Sequence, residues 1–169
     1  GLRSPRIGLL NNGTERTKGS QILQDTYSRL EENKALNFIG NVEARQVPLG
    51  DCDVVVADGF SGNLMLKLFE GIGKFFSKEL KNLLMKDFKS KIAALLILNN
   101  VKAFKKKVDY SEYGGAPLLG TAKPVIKAHG SSNAKAFYNA IRQAKLFTET
   151  KVIDEISSAL DTMKNSVNA

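Results

Sequence analysis

"VVADGFSGN", residues 55–63, decides the fold. It ends "CDVVVADG" (52–59), a short β-branched run that reads as a buried strand. Gly59 and Gly62 follow at once, and Leu64, Leu68, Ile72, Phe76, Leu80 and Leu83 then recur at helical spacing, widened by Met65 and Phe69. A strand passing straight into a long helix, expected over about 63–85, is the unit of which parallel sheets are made. Ser61 or Asn63 is the expected helix cap. Glycines let the backbone close on a ligand, and free N–H groups at a helix start favour an anion. The plain alternative is an ordinary capped turn.

The same grammar recurs on either side. "PRIGLLN" (5–11) is a short apolar run closed by Asn-Asn-Gly. Residues 18–32 place Ile22, Leu23, Tyr27 and Leu30 at helical spacing, and "LNFIGN" (36–41) reads as another strand. Strand–helix–strand order predicts a parallel sheet with helices on its faces. Ligands bind such sheets outside the carboxyl ends of the strands. Those ends are residues 11–14, 40–43 and 58–63. Lys18 stands on the first loop, where an ammonium holds a phosphate, polarises a carbonyl, or is simply solvated.

"YGGAPLLGTAKPVIKAHGSS" (113–132) holds the only histidine, His129, at a strand end before Gly130, Ser131 and Ser132. Ser131 or Ser132 is the expected cap of a helix over about 133–147, with a last helix over about 151–163. An anion-binding turn and a histidine bonded to a backbone carbonyl are the two readings.

The 169 residues suit one domain with a real core. A net charge of +8 implies an acidic partner: nucleic acid, an anionic membrane, a phosphorylated ligand or an acidic protein. No basic stripe is interleaved with aromatics, which disfavours nucleic acid. Cys52 is alone, which excludes an intrachain disulfide or a cysteine metal cluster and fits a reducing cytoplasm; it reads as a small buried hydrophobe. There is no G-x-G-x-x-G, Walker or G-x-S-x-G sequence. The chain starts Gly-Leu-Arg-Ser and reads like the interior of a longer polypeptide.

Residues 81–107 carry Lys81, Lys86, Lys89, Lys91, Lys102, Lys105, Lys106 and Lys107 against one acid, Asp87. Among them runs an apolar stretch from Ile92 to Leu98. Ile92, Leu95, Leu96, Ile97 and Leu98 cannot all face one core from a single helix, since successive residues turn by about 100°. Some are expected to be exposed at a helical tip. A short apolar run between lysines suits a membrane interface and is too short to span it. A dimer-interface helix with a solvated lysine face is the plain alternative.

Taken together, "IGLLNNGTERTKG", "NFIGNVEAR", "DVVVADGFSGN" and "DYSEYGGAPLLGTAKPVIKAHGSSNAKAFYNAIRQA" resemble the bacterial acyl-ACP:phosphate acyltransferases of phospholipid synthesis, the PlsX family. The four motifs fall in order between residues 5 and 148. Members of that family are about twice as long, so residues 1–169 would form the carboxy-terminal part of one α/β domain whose amino-terminal half is absent. The resemblance implies a three-layer parallel-sheet fold like isocitrate and isopropylmalate dehydrogenases and phosphotransacetylase. It implies acyl transfer from acyl carrier protein to inorganic phosphate without a cofactor or metal, in a cytoplasmic homodimer bound peripherally to an anionic membrane surface.

The resemblance makes Lys18 and Asn63 catalytic. It assigns substrate binding to Asn12, Gly13, Asp58, Gly62, Lys67, His129, Gly130 and Ser131, and membrane contact to Ile92, Leu95, Leu96, Ile97 and Leu98. In the dehydrogenases the frame from Phe60 onward reads F-G-D-x-x-x-D. Here Asn63 and Lys67 stand where those carboxylates would be, and neither supplies a hard anionic oxygen site for a divalent metal. The rival readings are a phosphotransacetylase-like or dehydrogenase-like enzyme, or a non-enzymatic basic membrane-binding module.

Overall fold

A computed structural model describes residues 2–108, 112, 114–130 and 132–167. The chain divides into two compact units, residues 1–81 and 82–169.

The first unit begins with strand β1 (Arg6–Asn11), helix α1 (Gln21–Glu32) and strand β2 (Asn37–Glu43). A single 3₁₀ turn at Val47–Leu49 leads to strand β3 (Val54–Val56) and helix α2 (Gly59–Met85). The sheet order is β2-β1-β3, and both pairs are parallel, as the strand–helix–strand order predicts. β1 takes the centre. Leu9 is fully buried, Leu10 nearly so, and Val42 of β2 packs beside them. Helix α1 lies against β1 and β2, with the Tyr27 ring edge-on to Phe38 at 5.1 Å.

Arg6 ties the approach to β3 onto β1. Its guanidinium donates to both Asp53 carboxylate oxygens at 3.0 and 3.1 Å and to the carbonyls of Gly50 and Asp51 at 2.8 and 2.9 Å. These hydrogen bonds hold the Asp53 carboxyl below its usual range. Between them Cys52 is buried, as expected of a small hydrophobe, and burial pushes its thiol pKa up.

Helix α2 starts earlier than its apolar spacing predicts, and neither Ser61 nor Asn63 caps it. Asp58 does: its Oδ1 accepts from the N–H groups of Phe60 at 2.8 Å and Ser61 at 2.9 Å. A carboxylate just before the first turn reaches the second and third helical donors directly, which leaves Ser61 and Asn63 inside the helix. The helix buries no residue along its length. Leu64, Leu68, Phe76 and Leu83 of its apolar stripe are each at least 60% exposed.

The second unit contains α3 (Phe88–Leu96), α4 (Leu98–Val108), β4 (Gly115–Pro117), β5 (Ile126–Ala128), α5 (Ala134–Glu149) and α6 (Val152–Val167). Asp87 caps α3 by accepting from Ser90 N–H at 2.8 Å. Ile97 separates α3 from α4. Ile92, Leu95, Leu96, Ile97 and Leu98 are all exposed, Leu96 at 83%, in keeping with the expected exposure. No helix among the described residues is long and apolar enough to cross a membrane.

Strands β4 and β5 pair antiparallel, a departure from an all-parallel sheet. The segment 118–125 is too short for a parallel crossover, which needs about a dozen residues; instead Leu118 N–H donates to Val125 O at 2.9 Å and extends the hairpin. Helix α5 packs on this hairpin through buried Ala136, Asn139 and Ala140 and carries α6 on its side. Its cap is Asn133, which accepts from Ala136 N–H at 3.0 Å, and not Ser132. The helix begins one residue later than a Ser132 cap requires. Ser131 itself lies outside the described residues.

Candidate active site

Parallel pairing sends the carboxyl ends of β1 and β3 to one edge of the sheet, side by side. The loop 12–19 leaves β1 there, and residues 57–58 lead from β3 into α2. The loop carrying Asn12, Gly13 and Lys18 therefore leaves the same edge as the turn at Asp58 that opens α2, and Gly62, Asn63 and Lys67 follow along that helix. His129 and Gly130 belong to the second unit, exposed at the end of β5, where Ser132 N–H donates to His129 O at 3.0 Å.

Lys18 is the first component. Its side chain is 46% exposed, and Nζ stands 3.9 Å from Glu15 Oε1, a loose ion pair. Such a pair at the surface contributes little, so the ammonium remains available to an incoming anion. Its stem lies over Gly13. A Cβ at that position would approach Lys18 Cγ to 2.9 Å and Glu15 Oε2 to 2.7 Å, so glycine makes the room that the lysine occupies.

The backbone around Lys18 is held by three side-chain amides. Asn11 Nδ2 donates to Lys18 O at 3.0 Å, and Asn41 Nδ2 donates to Glu15 O at 2.8 Å. Gln24 Nε2 donates to Thr17 O at 2.9 Å. Lys18 N–H closes a turn onto Glu15 O at 3.1 Å.

Asn63 projects from the first turns of α2 and is exposed. The free N–H groups expected at this helix start are not free at Phe60 and Ser61, because Asp58 occupies them. Hydrogen bonds from Ser61 and Phe60 hold the Asp58 carboxyl below its usual range, so it is anionic at neutral pH. A phosphate arriving here meets a carboxylate at the helix cap and must draw its attraction from side chains. Lys67, one turn beyond Asn63, already pairs with Glu70 at 3.2 Å. Positions 63 and 67 thus offer an amide donor and a partly neutralised cation. Among the described residues no three His, Cys, Asp or Glu side chains gather as a metal-binding group.

These loops are matched over most of the chain by known proteins. A family model described as "fatty acid synthesis protein" covers residues 1–155. The chain belongs to that family. It is similar to a protein named phosphate acyltransferase from Thermoanaerobacter pseudethanolicus, 48% identical over 167 residues, 99% of this chain and 50% of the relative. Phosphate acyltransferases from Staphylococcus aureus (strain MRSA252; 48% identical, 99% of this chain, 49% of the relative) and Streptococcus thermophilus (47%, 99% and 50%) are similar to it as well. The chain spans about half the length of the curated relatives it matches.

Sequence reasoning chose the residues that could touch a ligand and passed over those that hold them. Asn11 and Asn41 lie in strand ends that the sequence marks for ligand binding but carry no role of their own there, and Gln24 is not marked at all. The signal for the first two was an amide at the carboxyl end of an otherwise apolar strand, in "GLLNN" and "FIGN". Gln24 had no such signal, because a glutamine in a surface helix is commonplace.

Proposed function

We propose that this chain forms the carboxy-terminal part of an acyl-ACP:phosphate acyltransferase of phospholipid synthesis. A phosphate oxygen attacks the thioester carbonyl, the C–S bond breaks, and the products are acyl-phosphate and the carrier's thiol. The observation that carries this is the placement of Lys18 and Asn63 on segments leaving adjacent strand ends. The relatives' shared name supports it.

Such a reaction needs little proton chemistry. Phosphate is already an oxygen nucleophile near neutral pH, and a thiolate leaves readily. The enzyme must hold phosphate beside the thioester and stabilise the developing oxyanion. Lys18 neutralises charge on phosphate or oxyanion, and Asn63 donates a hydrogen bond to one of them. The absence of carboxylates at positions 63 and 67 disfavours metal-dependent dehydrogenation. On the resemblance alone, Asn12, Gly13, Asp58, Gly62 and Lys67 contact substrate, as do His129, Gly130 and Ser131 of the second unit. A three-layer fold of the dehydrogenase and phosphotransacetylase kind, and a homodimer, belong to the same proposal. So does docking of residues 92–98 on an anionic membrane surface, which their exposure and the surrounding lysines support.

The test is acyl-phosphate formation from acyl-ACP and inorganic phosphate, in an enzyme of the relatives' full length that carries this sequence. Lys18→Ala and Asn63→Ala each lower kcat/KM by about 10²-fold or more while circular dichroism is unchanged. Near-normal activity in both variants overturns the assignment.

A further inference from the structure

Three amides converge on one loop from three elements: Asn11 from the end of β1, Asn41 from β2 and Gln24 from α1. Parallel register pairs Leu9 with Asn41 and Asn11 with Glu43, so Asn11 and Asn41 lie diagonally on the same face of the sheet. Both are buried, at 9% and 6% exposure. Three of the four polar backbone atoms flanking the Lys18 Cα are engaged. Thr17 O accepts from Gln24, Lys18 N–H donates to Glu15 O, and Lys18 O accepts from Asn11. Asn41 fixes the far end of the same turn through Glu15 O. The neighbouring Arg16 anchors outward on α1, 3.0 Å from Glu31 and 5.5 Å from the Tyr27 ring centroid.

Two features show that this arrangement is specified rather than incidental. Asn41 Oδ1 is buried with no partner among the described residues. An orphaned acceptor is costly, and an apolar side chain of similar volume would avoid it. What the amide supplies in return is the donor that holds Glu15 O. Gly19, next after Lys18, has φ +85°, and a Cβ there would stand 2.7 Å from Asn11 Oδ1. The chain therefore turns left-handed, in a conformation suited to glycine, around the very amide that grips Lys18.

We infer that Asn11, Asn41 and Gln24 are positioning residues that fix the Lys18 backbone so that its ammonium is presented to the anion in one place. The inference rests on the phosphate acyltransferase reading for its kinetics but not for its geometry. A charge that stabilises a transition state acts through placement, and a misplacement of about 1 Å costs up to about 10²-fold.

The experiment uses the full-length enzyme and has two arms. In the kinetic arm, Asn11→Ala and Asn41→Ala each lower kcat about tenfold or more, with KM for acyl-ACP changed less than about twofold. In a Lys18→Ala background the same substitutions add less than about twofold, because they act through that side chain. In the exchange arm, hydrogen exchange of the Lys18 amide quickens about tenfold or more in Asn41→Ala, while the Leu9 and Leu10 amides keep their protection. Gln24→Ala, at a half-buried position on α1, loosens the same loop and serves if the strand variants fail to fold. Full kcat in folded variants, losses that multiply with Lys18→Ala, or unchanged Lys18 exchange each overturn the inference. An active Lys18→Ala enzyme would sink the catalytic assignment instead, and the exchange arm would still judge the positioning.

Discussion

β1 and α2 both carry runs of apolar residues, and they end in opposite circumstances. β1 buries its last four residues, Gly8 to Asn11, between two partner strands. α2 is several times longer and buries none. The difference lies in what covers each face. A strand at the centre of a sheet gains two hydrogen-bonded neighbours and, here, the side of α1. The α2 stripe finds no equivalent cover among the described residues. Apolar surface stabilises a fold at about 25 cal/mol per Å² only when it is removed from water, so equal apolarity does not mean equal contribution.

The contrast breaks most directly at Leu9. Leu9→Ala is expected to destabilise the first unit by about 2–5 kcal/mol, measured by urea unfolding. A smaller loss would mean that the sheet is not the core. The next effect concerns the exposed segment of the second unit. On the proposed membrane docking and acyl transfer, joint replacement of Leu95 and Leu96 by Glu is expected to weaken binding of the full-length enzyme to anionic vesicles about tenfold or more while phosphorolysis of soluble acyl-ACP persists. Unfolding of this variant would show that the segment is covered in the complete protein. Asn133→Ala removes the α5 cap and costs about 1 kcal/mol.

Acid sharpens the comparison from another direction. Asp53, Asp58 and Asp87 all have depressed folded-state pKa values, from hydrogen bonds with Arg6, Ser61 and Ser90 respectively. Their contribution is fully present above the ordinary aspartate value of about 3.9 and is lost as pH falls through the lower folded values. Unfolding midpoints should therefore drop only below about pH 4, and Asp58→Asn should flatten that drop. The smallest effect is expected at Leu68, 61% exposed on α2: Leu68→Ala should change the stability of this chain by less than about 0.5 kcal/mol. A cost comparable with that of Leu9→Ala would erase the contrast.

Local chemistry was legible where one residue type has few alternatives. The Asn-Asn-Gly and Asp-Gly stretches marked the ends of β1 and β3, and with them the edge where Lys18 and Asn63 stand. Capping was harder to read, because several neighbouring side chains compete for the same donors. Asp58 displaced Ser61 and Asn63, and Asn133 displaced Ser132. In both cases the winner is the residue immediately before the first helical turn, and spacing alone leaves that boundary uncertain by a residue or more.

By itself the sequence determined the strand–helix–strand–strand–helix order of the first unit and the parallel sense of its sheet. It did so because periodicity and turn chemistry are local properties of the chain. Only the tertiary structure decided which donors at the α2 start are already occupied, and that β4 and β5 form an antiparallel hairpin. Only it brought Asn11, Asn41 and Gln24 onto the backbone around Lys18. Their partners lie up to 26 positions away along the chain. An amide's hydrogen-bond partner at that separation is set by strand register and helix placement, which no local pattern encodes.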